Sequence, residues 1–126
     1  MICGLGIDIA QVSRVERVYQ LYGSRFARRV LASGELEAFA GTRNPVRFLA
    51  MRFAAKEATS KALGTGFRQG VSLRQIEVWH EPSGRPHLRL HGAANARASS
   101  LGVRDMYISL TDEQEYAAAV VVFESH

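Results

Sequence analysis

Apolar and polar positions alternate between two regimes along the chain. The first eight residues after Met1, "ICGLGIDI", form an almost wholly apolar run that reads as a buried strand over Ile2–Ile9 carrying one acid, Asp8. In "VSRVERVYQLYG" the residues Val12, Val15, Val18, Tyr19 and Tyr22 recur at helical spacing, and Gly23 is a natural stop. A shorter helix is expected over Arg25–Leu31, and another from Ser33, a good N-cap, to about Ala40. The clearest helix follows "RNP". Asn44 caps it, Pro45 suits its first position, nothing breaks it from Val46 to Leu63, and Gly64 stands where a left-handed C-cap residue belongs.

The second half is strand-rich. Ile76–His80 and His87–Leu90 flank the turn-forming "EPSGRP" and predict a hairpin. "AANARASSLGV" reads as a short amphipathic helix. Tyr107–Leu110 and Tyr116–Phe123 are two further strands joined by the polar "TDEQE". Helices mostly precede strands and do not alternate with them. The expected class is therefore α+β: a mostly antiparallel sheet packed on one long helix, with shorter helices around it. The 126 residues suit one domain, 1–126, with one modest core.

Composition narrows the setting. The formal net charge is +4, which favours acidic partners without choosing among them. The single cysteine, Cys3, excludes an internal disulfide framework and suits a reducing cytoplasm. The start of the chain lacks a signal-peptide layout, and the longest apolar run, Ala117–Phe123, is too short to span a bilayer. The arginines are scattered, with only Arg28 and Arg29 adjacent, and no helix-turn-helix, zinc-finger or RNA-binding motif is present. His87 and His91 read as exposed strand histidines, not metal ligands. Ser72, Ser109 and Thr111 lack the His–Asp arrangement of an acyl hydrolase.

Candidate chemistry concentrates in "RFAAKEATSKALGTG", Arg52–Gly66. Of sixteen basic residues fourteen are arginine, and the only lysines, Lys56 and Lys61, both lie here. Glu57 and Lys61 share a helix face, which by itself suits a surface ion pair. Gly64–Thr65–Gly66 is a helix end or a turn that lets backbone and the Thr65 hydroxyl approach a phosphate. It is not a Walker loop, in which the lysine follows the glycines. Asp8 is costly to bury unpartnered. It reads as a helix cap, as an arginine partner, or as an Mg²⁺ ligand together with Glu57, since Mg²⁺ takes one or two carboxylates plus water and phosphate oxygens.

"GLGIDI" and "RFAAKEATSKALGTG" together resemble the holo-acyl-carrier-protein synthase family of 4′-phosphopantetheinyl transferases. "RFARRVLASGELEAF", "GRPHLRL" and "ISLTDEQEYAAAVVV" extend the resemblance over nearly the whole chain. The resemblance implies transfer of phosphopantetheine from coenzyme A to a serine of an apo acyl carrier protein, in support of fatty acid biosynthesis. It implies that Asp8 and Glu57 bind Mg²⁺ and that Lys61 lies near the phosphates. Gly64, Thr65 and Gly66 would run along the nucleotide end of the coenzyme, with Arg52 and Pro86 lining the nucleotide pocket and Ser109 beside the phosphates. Arg14, Arg25 and Phe26 would meet the carrier protein. A homotrimer with sites between subunits is implied, with no role for nucleic acid or membrane. Glu57 or Glu35 would take the serine proton. Lys56, about 140° around the helix from Lys61, faces another phosphate, a subunit or solvent. One position departs from the pattern: Asp112 stands where the family often has a histidine, so the histidine's role does not carry over.

Overall fold

The computed structural model describes the whole chain, Met1–His126. Strand β1 (Ile2–Gln11) leads directly into α1 (Val12–Tyr22), α2 (Ser24–Val30) and α3 (Leu36–Ala40), with a 3-10 turn over Ser33–Glu35 before α3. The long α4 (Pro45–Leu63) follows, then a 3-10 turn at Leu73–Gln75 and the hairpin β2 (Ile76–His80) and β3 (Pro86–Leu90). Helix α5 (Gly92–Ser100) and strands β4 (Val103–Asp112) and β5 (Tyr116–Ser125) complete the chain. The class is α+β, and all strand pairs are antiparallel. The strands form two sheets rather than one: β1–β5–β4 and the separate β2–β3 hairpin.

Helix α4 has the ends its sequence predicts. Asn44 Oδ1 accepts from the Arg47 N–H at 3.1 Å, Pro45 opens the helix, and Gly64 closes it at φ 78°. Ser33 does not cap as expected. The Glu35 side chain instead reaches back and accepts the Ala32 N–H at 2.8 Å. β4 is longer than predicted: Asp112 belongs to the strand and pairs with Ala117.

The two glycines of "GLGIDI" set the geometry that matters most. A Cβ at Gly6 would lie 1.8 Å from the Ala58 carbonyl oxygen, and one at Gly4 would lie 2.5 Å from that of Ala62. Only glycine lets β1 lie this closely on α4, whose facing side is built of the buried alanines Ala54, Ala55, Ala58 and Ala62. β1 is consequently not buried on both faces as its sequence suggests. Leu5, Ile7 and Ile9 point away from the helix and are 64%, 62% and 63% exposed. With Tyr107 and Tyr116 they leave an open apolar face on the three-stranded sheet.

Candidate active site

The close seating of β1 on α4 carries Asp8 to the last two turns of the helix. The Lys61 ammonium lies 3.2 Å from Asp8 Oδ1 and donates to the Ile7 carbonyl at 3.0 Å. Glu57, one turn earlier, shares the place. Burial and the neighbouring Asp8 charge push its pKa above the usual carboxylate range, and Lys61 only partly offsets them. No hydrogen-bond donor reaches the Glu57 carboxylate oxygens. Two acids close enough to repel each other, one of them without a donor, suit a divalent cation. No third His, Cys, Asp or Glu completes an all-protein cage, as fits an ion that keeps water and phosphate ligands.

Asp8 and Glu57 open onto a cavity of about 410 Å³ between β1, α1, α2 and α4, lined also by Arg14, Val15, Phe26 and Phe53. Residues predicted separately for metal and for carrier protein thus meet in one place. Arg25 lines an adjoining groove with Val18, Tyr22, Phe26 and Arg29, of about 570 Å³.

The expected coenzyme-binding residues do not all join them. Arg52 is buried on another side of α4. Its guanidinium donates to Glu35 Oε2 at 3.0 Å and to the Val78 carbonyl, lies over the Phe48 ring at 4.3 Å, and approaches His80 Nδ1 at 3.4 Å. It lines a second, basic cavity of about 370 Å³ with Arg43, Arg47, Phe48 and His80. Pro86 opens β3 and pairs with His80 across the hairpin, which places it beside this cavity. Burial and the Arg52 charge push the His80 pKa down, which favours the neutral ring. Ser109 lies elsewhere again, exposed on the open sheet face in register with Val120. His80, Arg43 and Arg47 had no signal in spacing or periodicity; their contact or common cavity with Arg52 reveals them.

The Gly64–Thr65–Gly66 turn differs from the expected phosphate cradle. The Gly64 N–H closes on the Lys61 carbonyl at 3.0 Å and the Gly66 N–H on that of Ser60 at 3.1 Å. Thr65 is buried and its hydroxyl donates to the Gly66 carbonyl at 2.8 Å. The two N–H groups finish the helix and the Thr65 hydroxyl is held within the turn, so all three donors are engaged inside the chain.

Lys56 and Glu35 depart further from expectation. Lys56 faces neither phosphate nor solvent: its ammonium is fully buried, 2.5 Å from Glu35 Oε1 and 3.1 Å from the Leu73 carbonyl. Burial lowers its pKa against the opposing pull of Glu35. Glu35 accepts four donors, from the Ala32 and Val78 N–H groups, Lys56 and Arg52. Buried under these four donors, it lies outside the cavity of Asp8 and Glu57, which weighs against it as the alternative base. Asp112 forms a two-pronged ion pair with Arg47, including Nη2 to Oδ1 at 2.9 Å. Its charge is thereby neutralised, so it does not repel phosphates as a free acid would. Of the two histidines expected on exposed strands, His87 lies in β3, half-buried and stacked on Trp79 at 4.5 Å, whereas His91 lies past the strand at the N-cap of α5, exposed, with Nε2 2.9 Å from Glu77 Oε1.

The chain matches the model of the 4′-phosphopantetheinyl transferase superfamily over residues 4–121. It is 55% identical over 122 residues to a holo-[acyl-carrier-protein] synthase of Halorhodospira halophila, covering 97% of each chain. Its fold is similar to that of the holo-[acyl-carrier-protein] synthase of Neisseria meningitidis, with a TM-score of 0.91 and 40% identity over 99% of this chain and 100% of that one. It is also similar to the Bacillus anthracis synthase solved in complex with CoA (3′,5′-ADP), with a TM-score of 0.83 and 35% identity over 100% and 99% of the two chains. The chain therefore belongs to the 4′-phosphopantetheinyl transferase superfamily and, within it, to the holo-[acyl-carrier-protein] synthase family of transferases. No helix is long and apolar enough to cross a membrane.

Proposed function

We propose that this chain, acting as one domain over residues 1–126, transfers 4′-phosphopantetheine from coenzyme A to a serine hydroxyl of an apo acyl carrier protein. The products are holo carrier protein and adenosine 3′,5′-bisphosphate, and the setting is cytoplasmic fatty acid biosynthesis. The observation that carries the reading is the convergence of Asp8 and Glu57 at a cavity shared with Arg14 and Phe26, with Lys61 on Asp8. Family membership and the coenzyme complex of the Bacillus anthracis relative support it.

The serine Oγ attacks the phosphorus on the pantetheine side of the coenzyme pyrophosphate. The bond from that phosphorus to the bridging oxygen breaks, and the nucleotide bisphosphate leaves with the electron pair. Asp8 and Glu57 would hold Mg²⁺, which when bound would supply charge neutralisation for the pyrophosphate. Lys61 stabilises charge on the departing phosphate. Glu57 would receive the serine proton, directly or through water.

Two surfaces complete the reading. Arg14 and Arg25, beside Phe26, form a basic and partly aromatic approach to an acidic carrier helix. Reversing both charges weakens carrier binding more at low salt than at high salt; a loss equal at both would count against this docking site. The open sheet face suits a homotrimer. Arg52 lines a different cavity from Asp8 and Glu57, with Pro86 beside it through its pairing with His80, and a coenzyme that bridges two subunits would use both sets. Ile7→Asp on the open face is expected to give monomers in sedimentation velocity, with loss of turnover. A fully active Ile7→Asp monomer would exclude a shared site.

The test of the reaction is the intact mass of an apo acyl carrier protein incubated with this protein, coenzyme A and Mg²⁺. The carrier gains one phosphopantetheine, and the gain disappears with chelator and in Asp8→Ala and Glu57→Ala. An unmodified carrier with wild-type protein, under conditions where another synthase modifies it, would refute the assignment.

A further inference from the structure

Asp8 and Glu57 differ in what balances their charge. Asp8 has the Lys61 ammonium at 3.2 Å, anchored also on the Ile7 carbonyl, whereas Glu57 has no donor. Lys61 thus stands on the carboxylate that the metal reading needs. An ammonium and a divalent cation on one carboxylate repel each other strongly at contact distance. The lysine is also free to leave. Its side chain is 52% exposed and reaches Asp8 from the last turn of α4, so letting go forfeits one exposed ion pair and one carbonyl contact.

We propose that Lys61 is an internal counter-ion that holds Asp8 in the resting enzyme, competes with the divalent cation for that carboxylate, and is released toward the donor's phosphates when the cation binds. The proposal rests on the reading of Asp8 and Glu57 as cation ligands. It adds a coupling: a cation that takes Asp8 frees a positive charge for the anionic donor, and a donor that takes Lys61 clears Asp8 for the cation. Each therefore favours the other, beyond any direct contact between them.

The sign of one substitution separates this from a lysine that only binds phosphate. Mn²⁺ is titrated calorimetrically into the full chain without coenzyme A. Lys61→Met binds Mn²⁺ about two- to fivefold tighter than wild type, the scale of one exposed ion pair that no longer competes. Lys61→Arg, which keeps the positive charge, stays close to wild type. With coenzyme A as the titrant in the presence of Mn²⁺, the same Lys61→Met change weakens binding, so the two effects have opposite signs. Equal or weaker Mn²⁺ binding by Lys61→Met would overturn the proposal. If Asp8→Asn abolishes Mn²⁺ binding while Lys61→Met leaves it unchanged, the counter-ion role alone fails. If Asp8→Asn leaves Mn²⁺ binding intact, or wild type and Lys61→Met both bind none, the cation reading fails and takes this proposal with it.

Discussion

Lys56 and Lys61 stand five residues apart on α4 and live in opposite surroundings. The Lys56 ammonium is fully buried against Glu35, and Glu35 also accepts Arg52 and two backbone N–H groups. Every strong donor there has a partner, and the Lys56–Glu35 pair leaves no space for a ligand between its charges; only Arg52 also lines a cavity. The Lys61 side chain is half exposed, holds one carboxylate, and sits beside Glu57, which no donor reaches. The first cluster ties the turn at Ser33–Glu35, helix α4 and strand β2 together. The second is electrostatically unfinished and opens on a cavity. Saturation separates the two: a fully satisfied buried network fixes structure, while strained charges in a cleft mark chemistry.

Glu35→Ala is the most severe way to break this contrast. It leaves Lys56 and Arg52 buried without their counter-charge, and the expected cost is about 3–5 kcal/mol in urea unfolding. A loss under about 1 kcal/mol would mean that the cluster is not structural. Next comes Asp8→Asn. With the fold kept by circular dichroism, turnover of carrier protein falls by about 100-fold or more, as removal of a centre stabilising transition-state charge requires. Near-normal turnover would place the chemistry elsewhere.

Gly6→Ala tests how the second cluster is assembled. A methyl there would lie 1.8 Å from the Ala58 carbonyl oxygen, so strand and helix must part. The expected destabilisation is about 1–3 kcal/mol, with a loss of turnover because Asp8 retreats from Glu57. A stable, fully active Gly6→Ala would show that the close approach is dispensable. The smallest effect is on stability at the acids themselves. Because burial and Asp8 raise the Glu57 pKa, the folded state holds that proton more tightly than the unfolded chain does. Stability therefore falls as pH rises from the ordinary carboxylate range through the raised value. Glu57→Gln removes that penalty, so it is more stable than wild type at neutral pH and loses the advantage in acid. Thermal melts across that range check it; an advantage independent of pH would contradict the burial account.

The sequence disclosed α4 almost to the residue, because Asn44, Pro45 and Gly64 are local signals read without knowing the fold. It marked Asp8, Glu57 and Lys61 as candidates through family resemblance. Their meeting was not legible: Asp8 and Glu57 are 49 positions apart, and Gly4 and Gly6 on the alanine face of α4 bring them together. Burial of Lys56 was hidden for a related reason. A lysine inside a helical pattern looks like surface, and its partner Glu35 is distant and looked like a candidate base. The open face of β1 misled in the opposite direction. Leu5, Ile7 and Ile9 have the composition of a core, and one chain alone does not cover them.

The most direct test measures two quantities on the same preparations of Glu35→Gln and Glu57→Gln: melting temperature at neutral pH, and turnover of carrier protein per folded molecule. The predicted pattern crosses. Glu35→Gln melts lower than wild type and turns over close to it, whereas Glu57→Gln melts no lower and loses most of its turnover. A Glu35→Gln protein that melts like wild type but is inactive, or a Glu57→Gln protein that keeps its turnover, would contradict the division of labour between the two clusters.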